Sequence, residues 1–178
     1  ATTTGYMLFK RFNRSISKTS PGVASQNRPS IIFRLADFYL IYAEVANEVN
    51  PSDSRVLTYL NLVRERAGLP KVEVLNPSIV GNKELQRAAI QRERQIELAT
   101  EGQRYFDVRR WMIADKDGEG RQNGYAHGMN VRGTINDTEE FNRVVETEKI
   151  VFNRKMYLQP IPDHEMRKTQ NLVQNPGW

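Results

Sequence analysis

Glu93, Glu97 and Glu101 stand four residues apart, at the end of a run, Lys83 to Thr100, with neither glycine nor proline. On a helix that spacing puts all three on one face. Two carboxyls one turn apart could meet the roughly 5 to 9.5 Å separation that glycoside hydrolysis needs. Their neighbours argue for another role. Arg92, Arg94, Arg104, Arg109 and Arg110 crowd the same region. Such a setting favours the charged form of a carboxylate, whereas a general acid must hold its proton. Like charges at this spacing repel by about 0.2–0.5 kcal/mol per pair when exposed. Their tolerance implies cationic partners, and arginine grips carboxylates with a planar fork and stacks on rings. The residues therefore read as a structural ion-pair network of Arg34, Glu93, Glu97, Glu101, Arg104, Asp107 and Arg110, with no catalytic group. At least two of the three glutamates should pair with arginines drawn from Arg34, Arg64, Arg66, Arg104 or Arg110. In EGQRYFDVRRW, Glu101 to Trp111, the charges alternate with Tyr105, Phe106 and Trp111. That mixture suits a helical corner where rings fill space and charges fix geometry.

Other chemistries lack their residues. There are no cysteines, hence no disulfide and no thiolate metal site. The two histidines, His127 and His164, have no glutamate three positions before them, so the di-metal carboxylate pattern of helical bundles does not arise. Neither GxxxxGK[ST], GxGxxG nor GxSxG occurs. No metal and no cofactor are expected. A binding site is a different matter. Asp115 to Thr138 is long and rich in Gly, Asn and Asp, and loops of that length are often functional. Within it Tyr125 and His127 offer flat rings, and Asn123, Arg121 and Asn130 offer donors and acceptors. A few polar groups beside an apolar platform is the usual make-up of a small-ligand site. Tyr125, His127, Asn123 and Arg121 are the candidate ligand-binding residues; the alternative is a plain exposed connection.

The elements that must position these groups are mostly helical. In RLADFYLIYAEVANEV the positions Leu35, Phe38, Tyr42, Val45 and Val49 follow helical spacing. Ala36, Tyr39, Ala43 and Ala46 form a second stripe beside them, so this helix should be packed on two sides. Asn50-Pro51-Ser52-Asp53 stops it and starts the next, where Val56, Leu60, Val63 and Ala67 repeat before Gly68 and Pro70. The spacing predicts helices over 33–50, 53–67, 83–101 and 103–113, arranged as two helical hairpins. Gly5 to Phe12, Ile150-Val151-Phe152 and Met156-Tyr157-Leu158 read as short extended segments. A short helix should start near Asp163. The hairpins lie about fifty positions apart, longer than the 34 of a tetratricopeptide repeat, though the 68–82 connection could hold the excess.

The chain has 178 residues, 39% hydrophobic and 26% charged, which suits one soluble domain with a core. Its net charge of +5 is dispersed, without the basic block or recognition module of a nucleic-acid binder. No apolar run approaches the roughly 18 residues needed to span a bilayer. The start at Ala1-Thr2-Thr3-Thr4, without an initiating Met, reads as an interior point of a longer chain.

Five stretches in order, RLADFYLIYAEVANEV, LNLVRERAGLP, RERQIELATEGQRYFDVRRW, YLQPIPDHEM and NLVQNPGW, together resemble the C-terminal half of the SusD/RagB family, surface glycan-binding lipoproteins of Gram-negative bacteria. The resemblance runs from Gly5 to Trp178 and leaves 115–140 unmatched. It implies one region over 1–178, mostly α, built of tetratricopeptide-like hairpins with long loops. It implies a non-catalytic protein on the cell-surface side of the outer membrane. Such a protein binds oligosaccharides or other nutrients and passes them to a SusC-like TonB-dependent transporter. Membrane association would come only through a lipid anchor in an N-terminal part that this chain lacks. The matched motifs are scaffold signatures. Arg34, Glu44, Arg64, Arg66, Glu93, Glu97, Glu101, Arg104, Asp107, Arg110, Pro160, Pro162 and Pro176 would hold the fold, while ligand contacts come from variable loops. The competing reading is a helical-repeat adaptor that binds a protein and no sugar.

Overall fold

A computed structural model of the chain describes Tyr6, Lys10 and residues 30–116, 123–131, 133, 139–140 and 144–178. Two compact units emerge, one comprising 30–107 and the other 1–29 with 108–178. The extended segment expected over Gly5 to Phe12 lies, apart from Tyr6 and Lys10, outside the described residues.

The first unit is helical. It contains α1 (Leu35–Val49), α2 (Arg55–Arg66), the single-turn α3 (Val72–Leu75) and α4 (Lys83–Glu97), and α5 (Gln103–Arg110) begins within it. Local chemistry sets the ends. At the α2 terminus Gly68 takes φ 77°, a left-handed conformation, while the N–H of Leu69 donates to the carbonyl of Arg64. Glycine adopts that backbone without a Cβ penalty, so the helix closes there. At the start of α4 the Asn82 side-chain oxygen accepts the Leu85 N–H at 3.1 Å and satisfies an otherwise orphaned donor.

The core of this unit is Ala36, Leu40 and Ala43 of α1, Val56, Leu60 and Val63 of α2, and Ile90 of α4. The α1–α2 hairpin forms as expected, but α4 packs on α1 and α2 rather than pairing with α5. The stripe on α1 also differs from expectation. Leu35 is 61% exposed and Val49 81%, and Phe38, Tyr42 and Val45 are exposed as well. Ala36, Leu40, Ala43 and Asn47 face inward instead. The cause is steric: α2 and α4 both approach α1, and small side chains permit the close contact. Asn47 is fully buried and donates its amide to the Lys83 carbonyl at 3.0 Å, tying the end of α1 to the start of α4. Around this corner Glu48 accepts from Arg87 and pairs with Lys83, and the Arg87 hydrogen bonds push its carboxyl down to about 2.

The second unit carries an antiparallel hairpin of β1 (Gly124–Met129) and β2 (Val144–Ile150), a 3₁₀ turn at Arg154–Tyr157, and the short helix α6 (Asp163–Met166). The hairpin occupies part of the segment read as a long loop. The 3₁₀ turn replaces the extended segment expected at Met156-Tyr157-Leu158. Asn153 caps that turn, and its side chain competes with extended backbone. A small core of Val108, Ala114 and Phe152, flanked by Ile113, Met156 and Tyr157, holds these pieces.

Two outcomes follow. Leu40→Ala should cost about 2–5 kcal/mol by leaving a cavity, whereas Val45→Ala should change stability by no more than about 0.5 kcal/mol; chemical denaturation of both variants checks which face of α1 is the core. Because the folded-state Glu48 carboxyl lies below its usual value, its contribution is present above the ordinary glutamate range, near pH 4.3, and lost as pH falls toward 2. Glu48→Gln should flatten the fall in melting temperature between pH 5 and 2. The change will be modest, since the pair is partly exposed and water-screened.

Candidate functional site

The first unit engages its charges with one another. Arg34, at the start of α1, donates from Nε to both Glu101 oxygens at 3.1 and 2.9 Å. Its Nη1 donates to Glu97 Oε1 and its Nη2 to the Glu97 carbonyl. Arg66 reaches the same Glu97 oxygen, and Arg64 holds Glu93 at 2.8 Å. Arg94 is the most enclosed: its side chain is 2% exposed, between Asp107 at 4% and Asp37 at 10%. Its Nε and Nη2 donate to the two Asp107 oxygens at 2.9 and 3.1 Å, and its Nη1 donates to Asp37 at 2.8 Å. Sequence reasoning named Asp107 but gave Arg94 no defined partner and missed Asp37. Arg104 lies half-buried on α5, and Arg110 stacks over the Trp111 ring at 4.7 Å.

In the second unit the hairpin builds an open pocket of about 600 Å³, lined by Asn123, Gly124, Tyr125, His127, Glu146, Lys149 and Val151. Three of the four candidate ligand-binding residues thus meet there; Arg121 lies outside the described residues. The register explains how. Tyr125 pairs with Lys149 and His127 with Glu146, with an irregularity between Ala126 and His127. Two steps along β1 match three along β2, the signature of a bulge. The extra residue brings Glu146 and Lys149, which regular alternation would send to opposite faces, into one pocket. Tyr125 and His127 are both exposed, and the Lys149 ammonium lies 5.7 Å from the centre of the Tyr125 ring. The β2 contributors were not singled out from sequence, although VVETEKI has the β-branched character of a strand.

Asn123 also has a structural task. Its Oδ1 accepts the Phe152 N–H at 3.1 Å and its amide donates to the Asp115 carbonyl at 3.3 Å. It anchors the base of the hairpin. Asp115 is fixed in turn: the Tyr157 hydroxyl donates to its carboxylate and its N–H donates to the Tyr157 oxygen. That hydroxyl holds the Asp115 carboxyl below its usual value, while burial, followed by the same contact, raises the Tyr157 phenol. Rings, one cation and one carboxylate around an open pocket can bind a polar ring compound. No group of three or more metal-ligating side chains occurs among the described residues.

The family model of the SusD family matches residues 1–178. The chain belongs to the SusD family. Among curated SusD relatives, SusD-like protein P2 of Formosa agariphila is 32% identical over 83% of this chain and 26% of its own length. SusD-like protein P25 of the same organism is 43% identical over 50% of this chain and 16% of its own. Among solved structures, BT4246 superposes with a TM-score of 0.71 at 33% identity, covering 88% of this chain and 25% of that one. A SusD-like protein from Bacteroides fragilis gives 0.66 at 30% identity, covering 84% and 26%. The chain therefore spans about a quarter of the length of the first of these curated relatives and of both solved structures. SusD-like proteins are non-catalytic binding proteins of mostly helical fold.

Removing one side of the buried triad gives a sharp outcome. Asp107→Ala should destabilise by about 3–5 kcal/mol, because Arg94 keeps its charge in a dry site. Arg110→Ala, on an exposed residue, should cost well under half of that. Thermal unfolding of both variants makes the comparison.

Proposed function

We propose that this chain forms part of a cell-surface receptor that binds oligosaccharides without turning them over. The receptor would hand them to a SusC-like TonB-dependent transporter. Its attachment to the outer membrane would come from a lipid anchor outside these residues. Family membership supports the general role. The observation that carries the ligand class is the hairpin pocket. Tyr125 and His127 stand exposed beside Glu146 and Lys149 in about 600 Å³, and a sugar ring needs a flat apolar face together with donors and acceptors at its edge. The non-catalytic reading draws further support from Glu93, Glu97 and Glu101, whose carboxylates are occupied by Arg64, Arg34 and Arg66. A protein-binding adaptor would instead draw on the exposed apolar edge of α1, Phe38, Val45 and Val49.

An open, wet pocket of this kind gives weak affinity, on the order of micromolar to millimolar, because polar desolvation offsets much of the contact energy. In the full-length protein Tyr125→Ala should weaken the cognate glycan about tenfold or more, and His127→Ala by a smaller factor. Both should leave the melting temperature near wild type, since neither side chain belongs to a core. Calorimetric titration reads the affinities, and product analysis of the same mixtures reads turnover. Undiminished affinity in both variants would place the ligand elsewhere in the longer protein. Shortened glycan in the wild-type mixture would reject the non-catalytic reading.

A further inference from the structure

A second cavity in the same unit, about 740 Å³, carries chemistry that the hairpin pocket does not. Arg109, Arg154 and Lys155 contribute cations to its wall, and Met112, Tyr157 and Leu158 contribute apolar surface. Resting on the receptor reading above, we propose that this cavity is a subsite for acidic oligosaccharides, taking the carboxylate of a uronate or the sulfate ester of a sulfated sugar.

The manner in which the cations are held is the main argument. In the helical unit most of the arginines described above meet carboxylates; at this cavity the lysine meets a ring. The Arg109 guanidinium lies 4.9 Å from the centre of the Phe152 ring, and the Lys155 ammonium 4.2 Å from that of Trp178. The Trp178 ring orients the Lys155 ammonium while leaving its charge unneutralised. Neither Arg154 nor Lys155 makes a salt bridge to a carboxylate among the described residues. The acid closest in effect is Asp115. Arg154 helps hold its carboxyl below the usual range, but that carboxylate is bonded to the Tyr157 hydroxyl. The wall therefore keeps positive charge available for an incoming anion.

The cavity is also built rather than incidental. Trp178 is pinned by its indole N–H, which donates to the carbonyls of Lys155 and Leu158 at 3.0 Å each. Gly177 takes φ 87°, and a Cβ there would come within 2.9 Å of the Lys155 Cβ. Only glycine lets the chain pass that close. Phe152 connects the cavity to the hairpin: its N–H bonds Asn123, while its ring packs against Tyr157 at 5.0 Å and carries Arg109. Charged groups fix the anion and the apolar wall takes the sugar face. This division suits a ligand whose rings bear regular negative charges. Charge-assisted contacts of this kind are the stronger hydrogen bonds available to a sugar.

The test uses the full-length protein on an array of uronate-containing, sulfated and neutral oligosaccharides. Titration of the best binder follows, for wild type, Arg154→Gln and the double variant Arg154→Gln/Lys155→Gln. Acidic glycans should be preferred, with either the uronate or the sulfated class leading. Their affinity should fall as salt rises from 0.05 to 0.5 M and drop about tenfold or more in the double variant. Arg154 is exposed, so the single variant tests the charge even if the double variant unfolds, which circular dichroism reports. Preference for neutral glycans, or acidic-glycan affinity unchanged in the single variant and in a folded double variant, overturns the proposal and leaves the receptor reading standing. Binding of no glycan at all removes both.

Discussion

One guanidinium governs the helical unit. Arg94 lies almost dry between Asp37 at the start of α1 and Asp107 on α5. A charge taken out of water must be matched by partners of good geometry, so these three side chains position their helices relative to one another. α5 depends on this most. At eight residues it is too short to hold its shape from local bonds, and among the described contacts Asp107 gives it a buried attachment to α4. Asp37 does a second job by placing negative charge in the first turn of α1, where the helix dipole favours it.

What could be read from sequence follows the range of the forces involved. The four main helices were legible because propensity, capping residues and glycine stops act over a few positions. Asn82, Gly68 and Gly102 mark their ends almost by themselves. The glutamate ladder was legible as a set of arginine acceptors, but the particular matches of Arg34 with Glu101 and Arg64 with Glu93 depend on how helices cross. The inward face of α1 was not legible. Its sequence is apolar on nearly every side, so periodicity could not choose between the alanine edge and the Phe38 and Val45 edge. The hairpin was hidden for another reason. GYAHGM carries two glycines and little strand propensity, and it becomes a strand because β2 supplies the ladder from about twenty residues away. At the candidate site, type and exposure of Tyr125 and His127 could be anticipated, whereas Glu146 and Lys149 join them through a bulge that residue types do not announce.

The two units divide labour by the kind of contact they use. In the helical unit carboxylates and guanidiniums satisfy one another, so little charge is left to offer a ligand. In the hairpin unit a smaller apolar cluster around Phe152 suffices, and cations rest on rings. The helical part satisfies most of its charges internally, while the other presents polar groups to solvent. Asn123 matters here because it fastens the hairpin at its base and leaves the faces of its rings uncovered.

Arg34 has a kinetic consequence. It binds Glu97 and Glu101 across sequence separations of 63 and 67 residues, so the clamp closes only when most of the helical unit is in place. Closing such a loop costs chain entropy, which delays the clamp to a late stage of assembly. Once closed, it works in the opposite direction. The first turn of α1 cannot fray without releasing the last turn of α4, and the two ends of the unit share a single opening event. Amide hydrogens at both ends should accordingly exchange at matched rates, set by the unit as a whole and not by the local weakness of helix termini.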